Sequence, residues 1–402
     1  MTDIADADAR LLKWFDNHQG EMVSLLEELV NTDSGSADKA GVDKAGSVLI
    51  RFLNDAGIST SVVHDEKRGD AIVATVQQSV ASNEQPIVLL GHRDTVFEKG
   101  EASRRPFHVR DGRAFGPGVN DMKPGVVVNA FMLAAFKELG GLRTPLTGLF
   151  TGDEEIASPF SRPIIERHAN GAVAVFNTEP ARPNGNIVTR RKGAVFSVLE
   201  IFGKAAHSGV NFFDGASAIN ELADKIVRLK GVTDERKGIT LNVGLVRGGQ
   251  TVNTVAPYAA AEIDLRFVEQ QDRASALSRI LEITEDCRTA ETSAKLTIKG
   301  EFLPLEETSA SKALFDIYKT AAAHLGIQVE GELTGGCSDS GFASAQGAPT
   351  LCGVGPVGGK SHSPLEYVEL PTLLDRAKVL ALAIHRVSAE RCQCSGANFI
   401  QH

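Results

Sequence analysis

The sequence predicts an α/β protein: a larger domain on a mostly parallel central sheet, with a smaller ferredoxin-like α+β domain inserted into it. Two observations carry this. Through the first half of the chain, short apolar runs alternate with helical stretches, the pattern of strands joined by crossover helices. The middle instead reads strand, helix, strand, strand, helix, strand, which is the ferredoxin-like order.

The elements follow in order. From Asp8 to Val30, Leu11, Leu12, Phe15, Met22, Leu25, Leu26 and Leu29 recur at helical spacing. A second helix is expected over Ala40–Leu53. Buried strands are expected at Ala71–Val76, Pro86–Leu90, Leu146–Phe150 and Ala172–Phe176, and helices at Gly125–Leu139 and Arg162–His168. In the insertion, strands fall at Ala194–Phe202, Ile239–Val246, Ala259–Phe267 and Lys295–Lys299, with helices at Gly215–Leu229 and Asp272–Cys287. A helix near Ser311–His324, a strand at Thr350–Gly353 and a closing helix at Leu370–Val387 complete the larger domain. The domains are thus placed at 1–193, 194–300 and 301–402.

The 402 residues are 42% apolar and 23% charged, which is ordinary for a folded protein of this size and argues against disorder. No window reaches the roughly 18 unbroken apolar residues of a membrane helix, and the N-terminus lacks a signal-peptide pattern. A net charge of −9 argues against a nucleic-acid binder. Cys287, Cys337, Cys352, Cys392 and Cys394 are odd in number and irregular in spacing. They read as free thiols, and the expected location is the cytoplasm.

The chemistry gathers where strands end, the usual ligand-binding edge of an open α/β sheet. A buried strand runs into His92, and Asp94 shares its face two residues on, placed to accept the second ring N–H. Asp121 sits among glycines and prolines just before a helix, fitting a rigid loop that presents a carboxylate and equally a helix cap. Asp153, Glu154 and Glu155 directly follow a strand. Three adjacent carboxylates repel each other unless a cation holds them or solvent screens them. One of them is able to ligate a metal while its neighbour moves a proton. Glu179 again follows a strand, and His362 lies in a Gly-rich loop. Two histidines and three carboxylates without thiolate suit Zn²⁺, with Mn²⁺ or Co²⁺ as substitutes. Five ligands are too many for one tetrahedral ion and match two if one carboxylate bridges.

These motifs, GHRDT, GPGVNDMKPG, TGDEE, NTEP, GKAAHSG and GGKSHS, come in the order found in a dizinc metallopeptidase superfamily. It includes bacterial glutamate carboxypeptidase, acetylornithine deacetylase, succinyl-diaminopimelate desuccinylase and aminoacylase. The chain resembles that superfamily along nearly its whole length, and its glutamate carboxypeptidase branch most closely. The resemblance implies a zinc-exopeptidase-like catalytic domain holding two Zn²⁺ bridged by Asp121. His92 and Glu179 would complete one shell, Glu155 and His362 the other. It implies Asp94 as the partner of His92, and Glu154 as the general base for a metal-bridging hydroxide that attacks an amide carbonyl. It further implies a homodimer through the inserted domain, with His207 reaching the partner's site to stabilise the oxyanion. Arg266 and Asn253 match positions that hold a substrate's free carboxylate, and Gly336, within Gly335–Asp339, would add main-chain contacts.

The implied activity is hydrolysis of an amide next to a free carboxylate, in a small molecule or short peptide. Release of a C-terminal amino acid such as glutamate leads, with N-acyl-amino-acid deacylation as the alternative. Two departures stand out. The Asp121 motif ends in Lys-Pro-Gly rather than a double glycine. A second basic group for a glutamate side chain has only Arg190, Arg191 and Lys192 as candidates.

Overall fold

Apolar runs without polar alternation have to be covered on both faces, and this requirement organises the larger unit. The computed structural model describes residues 2–77, 85–140 and 142–396. They form two units, one comprising residues up to Arg190, Glu307–Leu333 and those from Phe342 on, the other Arg191–Glu306 with Thr334–Gly341. The expected domain limits at 193/194 and 300/301 lie a few residues inside these. An Arg191–Leu305 bridge extends the second unit at both ends.

Along the chain the strands are β1 (Thr60–Val63), β2 (Ala71–Val76), β3 (Ile87–His92), β4 (His108–Arg110), β5 (Arg113–Phe115), β6 (Leu146–Thr151), β7 (Ala174–Asn177) and β8 (Ile187–Arg191). There follow β9 (Gly193–Phe202), β10 (Thr240–Gly248), β11 (Tyr258–Phe267), β12 (Ser293–Phe302), β13 (Gly331–Thr334), β14 (Thr350–Cys352), β15 (Gly358–Gly359) and β16 (Tyr367–Glu369). The helices are α1 (Thr2–Val30), α2 (Lys39–Asp55), α3 (Glu101–Arg104), α4 (Lys123–Leu139), α5 (Arg162–Ala169) and α6 (Ala218–Leu229). The last four are α7 (Gln270–Glu285), α8 (Ser309–His324), α9 (Ser340–Ser344) and α10 (Pro371–Gly396).

The main sheet has the order β1-β2-β6-β3-β7-β14-β8-β13. Its centre, β6-β3-β7-β14, is parallel, while β1, β2 and β8 pair antiparallel at the flanks. Every residue of β3 and β6 is buried. Helix α4 is buried from Lys123 to Phe136, which explains why its sequence is apolar on all sides. Helix α1 turns Phe15, Met22, Leu26 and Leu29 into the same core, and α10 adds Leu380, Ala381 and Ile384. A second, small sheet, β15-β16-β5-β4, has no counterpart in the sequence reading because its strands are only two or three residues long.

The other unit folds as β9-α6-β10-β11-α7-β12, with the antiparallel sheet order β10-β11-β9-β12. That is the ferredoxin-like arrangement. Leu199, Ile201, Ile263 and Leu265 of the sheet pack with Leu222 and Leu229 of α6 and with Ile280 and Ile283 of α7. Helix α6 begins at Ala218 rather than Gly215. Ala216 is bridged to Lys204, and the Ser217 side chain caps the helix by accepting from the Asn220 N–H at 3.2 Å. Helix α10 runs to Gly396, past the expected Val387. Among the described residues no helix is long and apolar enough to cross a membrane. Cys287, Cys337 and Cys352 are free thiols. The side chains of Cys392 and Cys394 lie outside the described residues.

Candidate metal centre

Parallel register alone brings three of the expected acids to His92. His92, the last residue of β3, lies opposite Thr151 of β6, so Glu154 and Glu155 follow just beyond it. Leu90 lies opposite Asn177 of β7, which sets Glu179 on the other side. The loop after β5 and the loop after β15 then deliver Asp121 and His362.

Two groups of candidate ligands result among the described residues: His92, Asp121 and Glu179, and Asp121, Glu155 and His362. Asp121 belongs to both. Its Oδ1 is 3.2 Å from His92 Nε2, and its Oδ2 is 3.5 Å from His362 Nε2. Glu179 Oε1 lies 3.7 Å from His92 Nε2, and Glu155 Oε2 lies 3.3 Å from His362 Nε2. Tetrahedral Zn²⁺ bonds of about 2.0–2.1 Å put ligand atoms roughly 3.3 Å apart, so both groups fit a small divalent ion. Glu155 Oε1 is buried without a hydrogen-bond partner, as a carboxylate waiting for a cation would be.

The electrostatics fit as well. Burial pulls the His92 imidazole towards neutrality, but Glu154, Asp121 and Asp94 outweigh it and hold its pKa well above the ordinary value. Hydrogen bonds to Asp121 and Glu155 lift His362 to about 10. Burial, with the charge of Asp121, raises Glu155 to about 7 against the opposing pull of His362. Asp121 resists its own burial and is held far below the usual carboxylate range by His362 and His92. Protons thus occupy the place that divalent cations suit better.

Asp94 meets His92 through its main chain and its carboxylate. The His92 Nδ1 donates to the Asp94 main-chain carbonyl at 3.1 Å, and the Asp94 carboxylate lies farther off, at 3.5 Å. That bond orients the ring and turns Nε2 towards Asp121. The buried carboxylate also accepts from the Glu154 and Glu155 main-chain N–H groups at 3.2 and 3.1 Å, and from Ser36 Oγ at 2.7 Å. It therefore holds the acidic run in place. Glu154 is buried, with Oε2 3.8 Å from His92 Nε2.

The Lys-Pro-Gly departure is harmless for a visible reason. Pro124 occupies the first turn of α4, where no N–H is needed. Gly125 is the glycine that matters, since a Cβ there would lie 2.0 Å from the Thr178 carbonyl oxygen. Sequence reasoning missed Arg93. Fully buried between the two site residues, it donates to the carbonyls of Val42, Phe150 and Thr151 and ties the end of β6 to β3. The only signal was an arginine between His92 and Asp94, directly after an apolar strand.

His207, Asn253, Arg266 and Gly336 all belong to the second unit. His207 Nδ1 accepts from the Gly209 and Val210 N–H groups, which leaves Nε2 as the protonated, donating nitrogen. Ser208 donates to the Asn253 carbonyl at 3.0 Å, so these two segments adjoin. Arg266 is engaged on its Nε–Nη2 edge by Asp264, at 2.7 and 3.0 Å, and its Nη1 reaches Cys337 Sγ at 3.2 Å. Arg191 Nη1 donates to the Gly336 and Cys337 carbonyls, and Lys192 to that of Gly238.

Comparison with known proteins adds the decisive observation: residues 88–386 match the model of peptidase family M20/M25/M40. The chain belongs to this family. It is therefore a hydrolase of the M20 metallopeptidases. It is 29% identical to carboxypeptidase G2 of a Pseudomonas species (strain RS-16) over 93% of this chain and 91% of that one. It is 27% identical to an acetylornithine deacetylase of Salmonella arizonae over 61% of this chain and 67% of that protein. In structure it resembles an M20 family metallo-carboxypeptidase, Sso-CP2 from Sulfolobus solfataricus. The TM-score is 0.76 at 17% identity, over 92% of this M20 chain and 99% of the other.

Proposed function

We propose that this M20 protein is a carboxypeptidase for short peptides or N-acyl amino acids. It hydrolyses the amide next to a free carboxylate and releases the C-terminal amino acid, glutamate being one candidate. The observation that carries the reading is Asp121, whose two oxygens face separate histidines, each paired with a glutamate, with Glu154 alongside. A pair of divalent ions held by His92, Asp121, Glu179, Glu155 and His362, Zn²⁺ first and Mn²⁺ or Co²⁺ as substitutes, supplies Lewis acidity to the carbonyl and to water. Glu154 accepts the proton of the attacking water as the new C–O bond forms. It returns that proton to the amide nitrogen as the C–N bond breaks, giving an acid and a free amine. Asp94 acts by fixing the backbone of Glu154.

In the same reading the chain is a homodimer through its inserted unit, and His207 donates from Nε2 to the oxyanion in the partner's site. Edge strand β10, paired on one side by β11 and exposing Leu245 and Val246, supports an interface there. Arg266, Asn253 and the main chain of Gly336 take the free carboxylate. Arg266 does so from the edge that Asp264 leaves over. N-acyl-amino-acid deacylation is the second reading. It is favoured by Arg191 and Lys192, both committed to main-chain carbonyls rather than offered to a glutamate side chain.

The test is hydrolysis of a panel read by mass spectrometry, on Zn²⁺-loaded protein with and without chelator. N-acyl and peptidyl glutamates would be set against other C-terminal residues and acetylornithine. Chelator-sensitive release of a C-terminal amino acid from acylated or peptidyl substrates is expected. Cleavage of acetylornithine alone would move the assignment to the deacylase, and no cleavage on the panel would remove both.

A further inference from the structure

Glu366 faces neither group of candidate ligands, yet the loop carrying Asp121 is tied to it. It is buried, 1% exposed, four residues after His362. Its Oε2 accepts from the Gly118 N–H at 3.0 Å, and its Oε1 accepts from those of Asn120 and Asp121 at 2.9 Å each. One carboxylate thus gathers three N–H groups from a single turn of the loop. The small sheet explains the placement. Strand β16 pairs with β5, Tyr367 opposite Phe115, so Glu366 meets the loop as it leaves β5.

Two further contacts join this loop to the one bearing His362. Asn120 Nδ2 donates to Ser361 Oγ at 2.7 Å. A Cβ on Gly358 would lie 2.2 Å from Asn120 Oδ1, so the loops touch without room for a side chain. His92 and Glu179 need none of this, because they follow adjacent parallel strands held by their own ladder. Asp121 and His362 instead follow β5 and β15, which are joined only through the three-residue β16.

We propose that Glu366 is a positioning residue that holds the Asp121 loop, and with it the carboxylate shared by both halves of the centre, in its metal-binding geometry. This rests on the two-ion reading. The requirement is for a carboxylate: an amide keeps one acceptor oxygen and turns an NH₂ donor against main-chain donors. Supporting partners of this kind are typically worth about 10- to 100-fold in metal affinity.

The experiment is titration of metal-free protein with Zn²⁺, with the melting temperature of the metal-free form recorded alongside, for the wild type, Glu366→Gln and Glu366→Asp. The wild type is expected to take up two ions. Glu366→Gln is expected to bind Zn²⁺ about 10- to 100-fold more weakly while its metal-free form melts near the wild-type temperature. Weakening that comes with a lowered melting temperature of the metal-free form would mean a general structural role and overturn the inference. So would two unchanged sites. Should Glu366→Gln fail to fold, Glu366→Asp, one methylene short but still charged, is judged by the same criterion. A wild type that binds one ion or none overturns the two-ion reading and this inference with it. Two intact sites in both variants overturn this inference alone.

Discussion

At the scale of residues, Glu154 and Glu155 take separate tasks in the proposed mechanism, and Asp94 holds both by accepting from their N–H groups. Glu154→Gln is expected to retain both ions and lose about 10²–10⁴-fold in kcat. Metal analysis beside steady-state rates checks this, and a near-normal rate would take the base role from Glu154. The titrations give a second expectation. With His92 raised and His362 at about 10, both imidazoles carry protons at neutral pH in the metal-free protein, and incoming ions must displace them. Zn²⁺ affinity should therefore fall as pH falls, by about tenfold per unit for each proton displaced. Calorimetry in buffers of different ionisation enthalpy should register proton release. A pH-independent affinity would mean that these histidines are not ligands. The candidate ligands were readable as residue types at strand ends. The bonds that Asp94, Ser36 and Glu366 make to distant segments were not, because such contacts leave no local pattern.

At the scale of elements, the entry to α4 separates two adjacent residues of one motif. Gly125→Ala should cost about 1–3 kcal/mol through the clash with Thr178, and it should weaken metal binding because Thr178 precedes Glu179. Pro124→Ala should stay within about 0.5 kcal/mol of the wild type. Denaturant unfolding of the pair checks both, and equal effects would remove the explanation of the Lys-Pro-Gly departure. In the inserted unit, α6 carries a fully buried pair, Glu221 and Lys225, 3.0 Å apart. Lys225 donates to the carbonyls of Ile283, Thr284 and Asp286 at the end of α7, and Glu221 accepts from the Arg288 and Thr289 N–H groups. Lys225→Met would strand a buried carboxylate, at an expected cost of about 3–5 kcal/mol. Long periodic helices and apolar strands were readable to within a few residues. The strands β1, β4, β5, β8, β13, β15 and β16, of two to five residues, were not, since pairing with distant segments defines elements so short.

At the scale of the whole molecule, ions that bind only the folded chain stabilise it by mass action. Free Zn²⁺ a thousandfold above Kd is worth about 4 kcal/mol, so chelation should lower the melting temperature appreciably. No shift on chelation would argue against bound metal. The homodimer has its own test in sedimentation. Val246→Lys on the β10 edge should shift the chain towards monomer, because a charge on an edge strand opposes pairing with another copy. A wild type that sediments as a monomer would remove the cross-subunit role of His207.

Sequence by itself determined the α/β class, the inserted β-α-β-β-α-β unit, the ordered acidic and histidine motifs and, through them, the family. Those features are local: hydrophobic period, strand length and residue chemistry are written in consecutive positions. Tertiary structure decided that Asp121 turns one oxygen to each histidine, that Asp94 serves the backbone of Glu154, and that Arg266 meets Cys337. It also decided that Glu366 carries the loop between β5 and α4. Each of these depends on a hydrogen bond or a register between segments far apart in the chain, and such geometry exists only once the sheets have formed.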